Sequence, residues 1–164
     1  MSLNYSAPTA IISTLSREQG GEKRERLARS LLEAARWPAG PQCVRCNALN
    51  MACQVRRKPG LWSCKACRSA QYTVTSGTPL HGTRVSLASW ITLYLHSEVL
   101  RERWSISKVR RELGVSYVTA KNMTCRMERL KTECPVITQR LEQCIRYLSY
   151  NDLALLMLPK HVNK

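Results

Sequence analysis

The sequence reads Cys43-Val44-Arg45-Cys46 and, after 17 intervening residues, Cys64-Lys65-Ala66-Cys67. Each pair places two thiolates on one tight turn, and two such pairs at this separation are a strong signal for zinc. Four thiolates complete a tetrahedron around one Zn²⁺ and leave no position open for a catalytic water. We therefore predict one structural zinc ion on these four cysteines. The alternative, a redox-active CxxC, requires a thioredoxin-like βαβ setting, which the flanking sequence lacks.

The residues around the two pairs predict a zinc ribbon of three short strands. Pro59-Gly60 marks a turn between the pairs, residues 61–63 lead into the second pair, and residues 71–75 alternate as a strand does. Zinc binding at about 10–16 kcal/mol would largely fold so small a unit. The remaining cysteines are not predicted ligands: Cys53 lies between the pairs, and we expect small buried side chains at Cys125, Cys134 and Cys144. Nor do we assign a ligand role to His81, His96 or His161.

The charge of the chain predicts a polyanionic partner. The formal net charge is +15 over 164 residues, and residues 36–97 carry eight basic residues and no acidic one. Residues 98–131 add nine basic residues against four acidic ones, so these two segments hold thirteen of the surplus charges. Such a surplus is the electrostatic footprint of nucleic-acid binding. Because Asp152 is the single aspartate, paired-aspartate metal chemistry has no residues to use, and we expect no enzyme.

The spacing of the apolar residues predicts a mainly α fold with a small β zinc ribbon. Residues 22–35 predict a leading helix, residues 86–100 a scaffold helix, residues 108–113 a short helix, and residues 117–131 a longer one. Gly114 ends the short helix and Ser116 caps the next, which is the plan of a helix-turn-helix. The predicted parts are a flexible arm (1–21), the leading helix (22–36), the zinc ribbon (37–80), a helix-turn-helix domain (86–131) and a helical tail (135–164).

The second helix of this motif carries the candidate DNA-reading residues. Ala120, Met123, Met127 and Leu130 recur at helical spacing and should face the core. Asparagine pairs with adenine, arginine and lysine reach guanine or phosphate, and hydroxyls and helix N-terminal amides bind phosphate. An ordinary helical hairpin with a solvated basic face is the alternative. The predicted contacts to double-stranded DNA are Ser116, Tyr117, Val118, Thr119, Lys121, Asn122 and Arg126, with Arg56, Arg57 and Lys58 between the cysteine pairs.

The tail after Pro135 leaves two assemblies open. Its apolar residues return at helical spacing up to Leu148, and residues 153–158 are densely apolar. Such a tail either folds back on its own core or joins two chains in a homodimer, as DNA readers of two half-sites do.

No apolar run has the length of a membrane helix, and no signal peptide is evident, so we expect a cytoplasmic protein that lies at the nucleoid when bound, with no membrane or small-molecule partner.

Several stretches together resemble a known arrangement. They are Arg36-Trp37-Pro38-Ala39-Gly40-Pro41-Gln42-Cys43, Gly60-Leu61-Trp62-Ser63-Cys64-Lys65-Ala66-Cys67-Arg68, Tyr72-Thr73-Val74-Thr75-Ser76-Gly77-Thr78-Pro79, Trp90-Ile91-Thr92-Leu93-Tyr94-Leu95 and Arg111-Glu112-Leu113-Gly114-Val115-Ser116-Tyr117-Val118-Thr119-Ala120. From about residue 22 to 131 the chain resembles the N-terminal region of bacterial insertion-sequence transposases that carry a transposase zinc ribbon. In that family the ribbon and helix-turn-helix precede a DDE-type catalytic domain. The resemblance implies a module that recognises element ends, with zinc on the four cysteines named above and a recognition helix opening at Ser116, Tyr117, Thr119 and Ala120.

The chain departs from the family pattern in three respects. Asn47 replaces the usual glycine after the first cysteine pair, a mild change because asparagine tolerates the left-handed conformation. Arg110 stands where a small residue usually packs between the two helices, which leaves the packing there open. Only 33 residues follow Lys131, with one aspartate and two glutamates, so the resemblance carries over no catalytic activity.

Three functions fit these observations. The first is a sequence-specific DNA-binding protein that regulates transcription, related to the DNA-reading half of a transposase. The second is an accessory or truncated transposase subunit that binds element ends. The third is a zinc-ribbon component of a transcription or translation machine. An operator near the protein's own gene would favour the first function, and terminal inverted repeats would favour the second.

Overall fold

The computed structural model describes residues 11, 15, 21–68 and 70–147 and confirms a mainly α fold with a small zinc ribbon. Three short strands form one antiparallel sheet in the order β1-β2-β3: β1 is Ala52–Gln54, β2 is Trp62–Cys64 and β3 is Gln71–Tyr72. The helices are α1 (Gly21–Arg36), α2 (Leu87–Tyr94), α3 (Ile106–Leu113), α4 (Tyr117–Glu133) and α5 (Pro135–Tyr147).

Helix α1 connects the ribbon to the other helices. Its apolar face, with Leu27, Leu31 and Ala35, is fully buried and packs against α2 and α5. The Glu33 carboxylate on the same helix accepts a hydrogen bond from Trp62 Nε1 of β2 at 3.3 Å. Because one buried cluster includes side chains from α1, the ribbon and α2 to α5, the ribbon is held at a fixed position against the helices.

The start of α2 is capped from within and from α1. The Ser86 hydroxyl accepts the amide of Ser89. The two preceding amides, those of Leu87 and Ala88, each donate at 3.1 Å to one oxygen of the Glu25 carboxylate. Helix N-terminal amides have no intrahelical acceptor and favour negative charge, so Glu25 joins α1 to α2 through a favourable pair of hydrogen bonds.

Replacing Glu25 with alanine should therefore destabilise the fold by about 1–3 kcal/mol, because two helix-terminal amides lose a charged acceptor. The matched control is Glu22→Ala, since Glu22 lies on the same helix, is exposed and forms an exposed ion pair with Arg26 one turn later. Its removal should cost less than about 0.5 kcal/mol. Chemical denaturation of both variants measures the difference, and equal effects would contradict the capping role of Glu25.

The scaffold helix predicted over residues 86–100 changes its geometry before it ends. The α-helical part stops at Tyr94, and a π-helical turn, Leu95–Val99, completes the segment. Within it the Leu100 amide bonds the Leu95 carbonyl, five residues back, at 2.9 Å. Leu95 and Val99 are both buried, so the π-helical turn still contributes apolar side chains to the core.

The predicted helix-turn-helix is present as α3 and α4. Helix α3 begins two residues earlier than predicted, because the Ser105 hydroxyl accepts the Lys108 amide and caps the helix there. Gly114 follows α3 with φ of 65°, a left-handed conformation that glycine adopts without steric cost. Ser116 then caps α4 by accepting the Thr119 amide.

The strand predicted over residues 71–75 is shorter than expected. Strand β3 ends at Tyr72, because the Thr73 amide donates to the Ser76 hydroxyl at 2.9 Å and the Ser76 amide returns to the Thr73 carbonyl. Serine and threonine hydroxyls compete in this way with strand pairing. The alternation of residues 73–75 therefore belongs to a turn.

The described part of the tail folds back on the core. In α5, Leu141 and Ile145 are buried and the helix packs against α1, while the Tyr94 hydroxyl donates to the Thr138 carbonyl at 2.7 Å. Leu148 and residues 153–158 lie outside the described residues. Most of the predicted arm does as well; its described residues are Ile11 and Leu15, which are helical and buried, and Gly21, which begins α1. Within the described ranges, no helix combines the length and the hydropathy that a bilayer crossing requires.

A polar cluster around Glu102 joins α3 to the scaffold. The Glu102 carboxylate accepts Trp104 Nε1 at 2.9 Å and Lys108 Nζ at 3.1 Å, and its other oxygen lies 3.1 Å from His96 Nδ1. The His96 and Trp104 rings stack with centroids 4.5 Å apart. The hydrogen bond from Trp104, followed by those from His96 and Lys108, lowers the pKa of Glu102 to about 2.

This pKa makes a prediction about acid stability. A carboxylate with a depressed folded-state pKa stabilises the fold above its ordinary value near 4.5, and the contribution is lost as pH falls toward 2. We expect Glu102→Gln to be less stable than wild type at neutral pH and to lose less stability across that acid range. Denaturation curves at stepped pH test this, with Glu112→Gln controlling for the loss of a negative charge on α3. An unchanged pH dependence in Glu102→Gln would refute the assignment.

Candidate metal centre and nucleic-acid interface

Four cysteine sulfurs converge at the edge of the ribbon. The Sγ atoms of Cys43, Cys46, Cys64 and Cys67 all lie within 4.8 Å of one another. Cys43 and Cys67 are separated by 3.9 Å, and Cys46 and Cys64 by 3.7 Å. A tetrahedral zinc with Zn–S bonds of about 2.3 Å requires S–S edges of about 3.8 Å. The four cysteines are thus close enough to bind one zinc, as predicted.

The two cysteine turns are closed by similar backbone hydrogen bonds. In the first turn (residues 43–46), the Cys43 amide bonds the Ala48 carbonyl and the Asn47 amide bonds the Cys43 carbonyl. In the second turn (residues 64–67), Cys64 pairs with Ala70 and Arg68 takes the place of Asn47. Asn47 and Arg68 have φ of 56° and 53°, so each turn closes on a left-handed residue. Asparagine at 47 suits this conformation, as expected, whereas nothing in the sequence singled out Arg68.

An aromatic cluster of Trp37, Trp62 and Tyr72 lies close to the cysteines. The Trp37 ring lies nearly perpendicular to the rings of Tyr72 and Trp62, with centroids 5.8 Å and 6.2 Å away. Burial, reinforced by the neighbouring cysteines, raises the pKa of Tyr72 to about 12, so its hydroxyl stays neutral. Since four protein thiolates fill a tetrahedral zinc, the ion would stabilise the ribbon and supply no site for substrate.

The other cysteines divide differently from what the sequence predicted. Cys53 on β1 lies outside the cluster and its thiol contacts the Ser63 carbonyl at 3.8 Å. Within the described parts of the chain, the four-cysteine group is the only one that could hold a metal. Cys134 and Cys144 are half-buried, but Cys125 is exposed, so its prediction as a buried side chain is wrong. Cys125 follows Lys121 and Asn122 at i+4 and i+3, which places it on their face of α4.

Helix α4 has two distinct faces. Ala120, Met123, Met127 and Leu130 are buried against α3 and α5, as predicted. The opposite face is exposed and follows helical spacing. From the start of α4 toward its end, the residues of this face are Val118, Lys121, Asn122, Cys125 and Arg129.

The predicted DNA-contacting residues of α4 differ in exposure. Tyr117, Val118, Lys121 and Asn122 are exposed, whereas Thr119 and Arg126 are half-buried at the flank. The Ser116 hydroxyl lies 2.9 Å from the Thr119 hydroxyl in the helix cap, so both are engaged at the start of α4.

Two residues of the exposed face were missed by sequence reasoning, Cys125 and Arg129. Their spacing from Val118 and Asn122 was the signal that could have placed them there. Arg129 pairs with Glu133 one turn later at 2.7 Å, which raises the pKa of its guanidinium.

The predicted DNA contacts Arg56, Arg57 and Lys58 lie at the tip of the β1–β2 hairpin. The Val55 amide bonds the Leu61 carbonyl, and the Lys58 amide bonds the Val55 carbonyl, which closes the turn. Arg56, Arg57 and Lys58 are all exposed at this tip. The ribbon therefore presents three cations on a short loop that carries no acidic residue.

Arg110, which departs from the family pattern, is exposed on α3, while its neighbour Val109 is fully buried. The arginine therefore lies outside the contact between α3 and α4. The departure leaves the packing of the two helices intact.

Comparison with protein families identifies the ribbon. The family model of the transposase zinc-ribbon domain matches residues 23–70, a range that includes all but the first two residues of α1, both cysteine turns, β1 and β2. The resemblance drawn from the sequence is confirmed over this range. Comparisons with curated proteins and with solved structures gave no match.

Proposed function

On the premise that residues 23–70 are a transposase zinc-ribbon domain, we propose that this chain is a sequence-specific DNA-binding protein that reads double-stranded DNA with α4. The observation that carries the proposal is the outward face of α4. Its first turns present Val118, Lys121 and Asn122 to solvent, on a helix whose other face is fixed in the core. A helix held in this way by a preceding helix and a short turn fits the major groove with its N-terminal residues at the base edges.

The two basic parts of the chain have separate roles in this proposal. The helix-turn-helix part (residues 86–131) supplies base contacts through Lys121 and Asn122, and phosphate contacts through Ser116 and Thr119. The ribbon (residues 37–80) supplies phosphate contacts through Arg56, Arg57 and Lys58. Phosphate contacts set affinity and position, and base contacts set sequence preference.

The chain's own chemistry supports binding without catalysis. A zinc ribbon is a binding module, and its four thiolates leave no open metal position. The sequence contains one aspartate, so it offers no set of aspartates for the paired metal ions of DNA strand transfer.

We propose regulation of transcription as the biological role, and binding to the ends of a mobile element as the second candidate. The transposase zinc-ribbon match is the observation that supports the second candidate, because it relates the chain to proteins of transposition. Mapping bound DNA in the native host separates the two: promoter sites support regulation, and terminal inverted repeats support element-end binding. A symmetric pair of half-sites would in addition support a homodimer.

The test of DNA recognition is selection of bound duplexes from a random library by the zinc-loaded protein. We expect a defined sequence motif to be enriched over successive rounds. Enrichment of no motif, with binding that depends only on salt, would contradict the proposal.

A further inference from the structure

We propose that Val118 reads the C5-methyl group of a thymine in the major groove. This inference rests on the proposed function and deepens it, because it names one feature of the DNA that α4 recognises. The proposal concerns a specific side chain and a specific chemical group, so it is tested separately from DNA binding as such.

Exposed apolar side chains mark the start of α4. Tyr117 is 53 % exposed and Val118 is 67 % exposed, and they follow one another directly after the Ser116 cap. The core face of α4 is filled by Ala120 and the residues in line with it, so Val118 has no packing role there. Among the large apolar side chains that the structure describes as exposed, Val118 has the greatest exposed fraction.

The neighbours of Val118 are polar or cationic and lie on the same face. Lys121 and Asn122 follow at i+3 and i+4, which brings all three side chains to one patch of the helix surface. Such a patch matches a DNA groove better than it matches an apolar protein surface. Against an apolar surface the Lys121 ammonium would lose its hydration and gain no partner of opposite charge.

The major groove offers a partner for a valine. Of the base edges displayed there, only thymine carries a methyl group, and apolar side chains contact it. Valine has two methyl groups and no hydrogen-bonding atom, so the thymine methyl is the base feature it can recognise. Asn122, one helical turn further on, has the amide that pairs with adenine. We therefore expect a thymine contacted by Val118 next to a base pair contacted by Asn122.

The experiment replaces each thymine of the selected site, one at a time, with deoxyuridine, which removes only the methyl group. Wild-type protein should bind about fourfold more weakly when the contacted thymine is replaced, the factor expected for the loss of one buried methyl. Val118→Ala should bind the thymine site more weakly than wild type and should show no further loss on the uracil site.

A matched control exists in α5. Val136 is also exposed and is also the second residue of its helix, but it lies outside α4. Val136→Ala should retain the full sensitivity to uracil. A merely structural effect of Val118→Ala would weaken thymine and uracil sites alike and leave their ratio at the wild-type value, which would overturn the proposal.

The outcomes also separate this inference from the proposed function. If wild type selects a motif but tolerates uracil at every position, Val118 does not read thymine, while DNA recognition stands. The same conclusion follows if the selected motif contains no thymine. If no motif is selected, both the inference and the proposed function are wrong.

Discussion

Replacing Cys64 with serine should abolish zinc binding and unfold the ribbon. Cys64 is buried at the end of β2, and its sulfur lies within 4.8 Å of the three other thiols. A serine hydroxyl does not replace a thiolate as a zinc ligand, because soft sulfur supplies most of the affinity at such a site. Structural zinc contributes about 10–16 kcal/mol of apparent binding free energy to small domains, so few of the ribbon's three short strands would survive its loss.

The matched control for this variant is Cys53→Ser. Cys53 lies on β1, the strand next to β2, and its sulfur lies outside the metal cluster. We expect about one equivalent of zinc in wild type and in Cys53→Ser, and none in Cys64→Ser. Because Trp37 and Trp62 pack together close to the cysteines, a chelator should change the tryptophan fluorescence of wild type and of Cys53→Ser. It should not change the fluorescence of Cys64→Ser, which has no zinc to lose. A folded wild-type ribbon that contains no metal would refute the structural role of zinc.

The second large effect should separate the ribbon loop from α4. Replacing Arg56, Arg57 and Lys58 with alanine should weaken binding to selected and random DNA equally. Each lost phosphate contact reduces the magnitude of the slope of log affinity against log salt concentration by about 0.9. The slope of the triple variant should therefore be smaller in magnitude by up to about 2.7. Replacing Asn122 with alanine should instead lower the ratio of selected to random affinity, by about 1–3 kcal/mol for a good base contact.

Exposed residues of α5 provide the controls. Arg140→Ala removes a cation, and Gln143→Ala removes an amide, from a helix that the account places away from DNA. Arg140→Ala should leave the salt dependence of binding unchanged, and Gln143→Ala should leave the ratio of selected to random affinity unchanged. If the loop variant destroys specificity while Asn122→Ala preserves it, the ribbon is the reader and the two roles are reversed.

The sequence predicted the parts of the fold that depend on local chemistry. The spacing of the cysteine pairs identified the ligands, because zinc geometry allows few arrangements of four thiolates. Gly114 and Ser116 located the turn before α4, because one favours the left-handed conformation and the other satisfies helix-terminal amides. The buried stripe of α4 followed from its 3.6-residue period.

Features that depend on contacts distant in sequence were not predictable. Glu25 caps α2 from 62 residues away, and no local pattern indicates this pairing. The π turn after Tyr94 and the left-handed Arg68 likewise depend on how the chain packs. The short β3 is a different case, because Ser76 was visible in the sequence and the apolar alternation of residues 71–75 outweighed it.

The most direct test of recognition by α4 replaces single ring nitrogens of the bases in the selected site with C–H groups, which removes one hydrogen-bond acceptor from one groove. A 7-deazapurine lacks the N7 acceptor of the major groove, and 3-deazaadenine lacks the N3 acceptor of the minor groove. The account predicts that at least one 7-deazapurine weakens wild-type binding by about fivefold or more, and that the same substitution has no effect on Asn122→Ala or on Lys121→Ala. Loss of binding with 3-deazaadenine alone, and none with any 7-deazapurine, would contradict it.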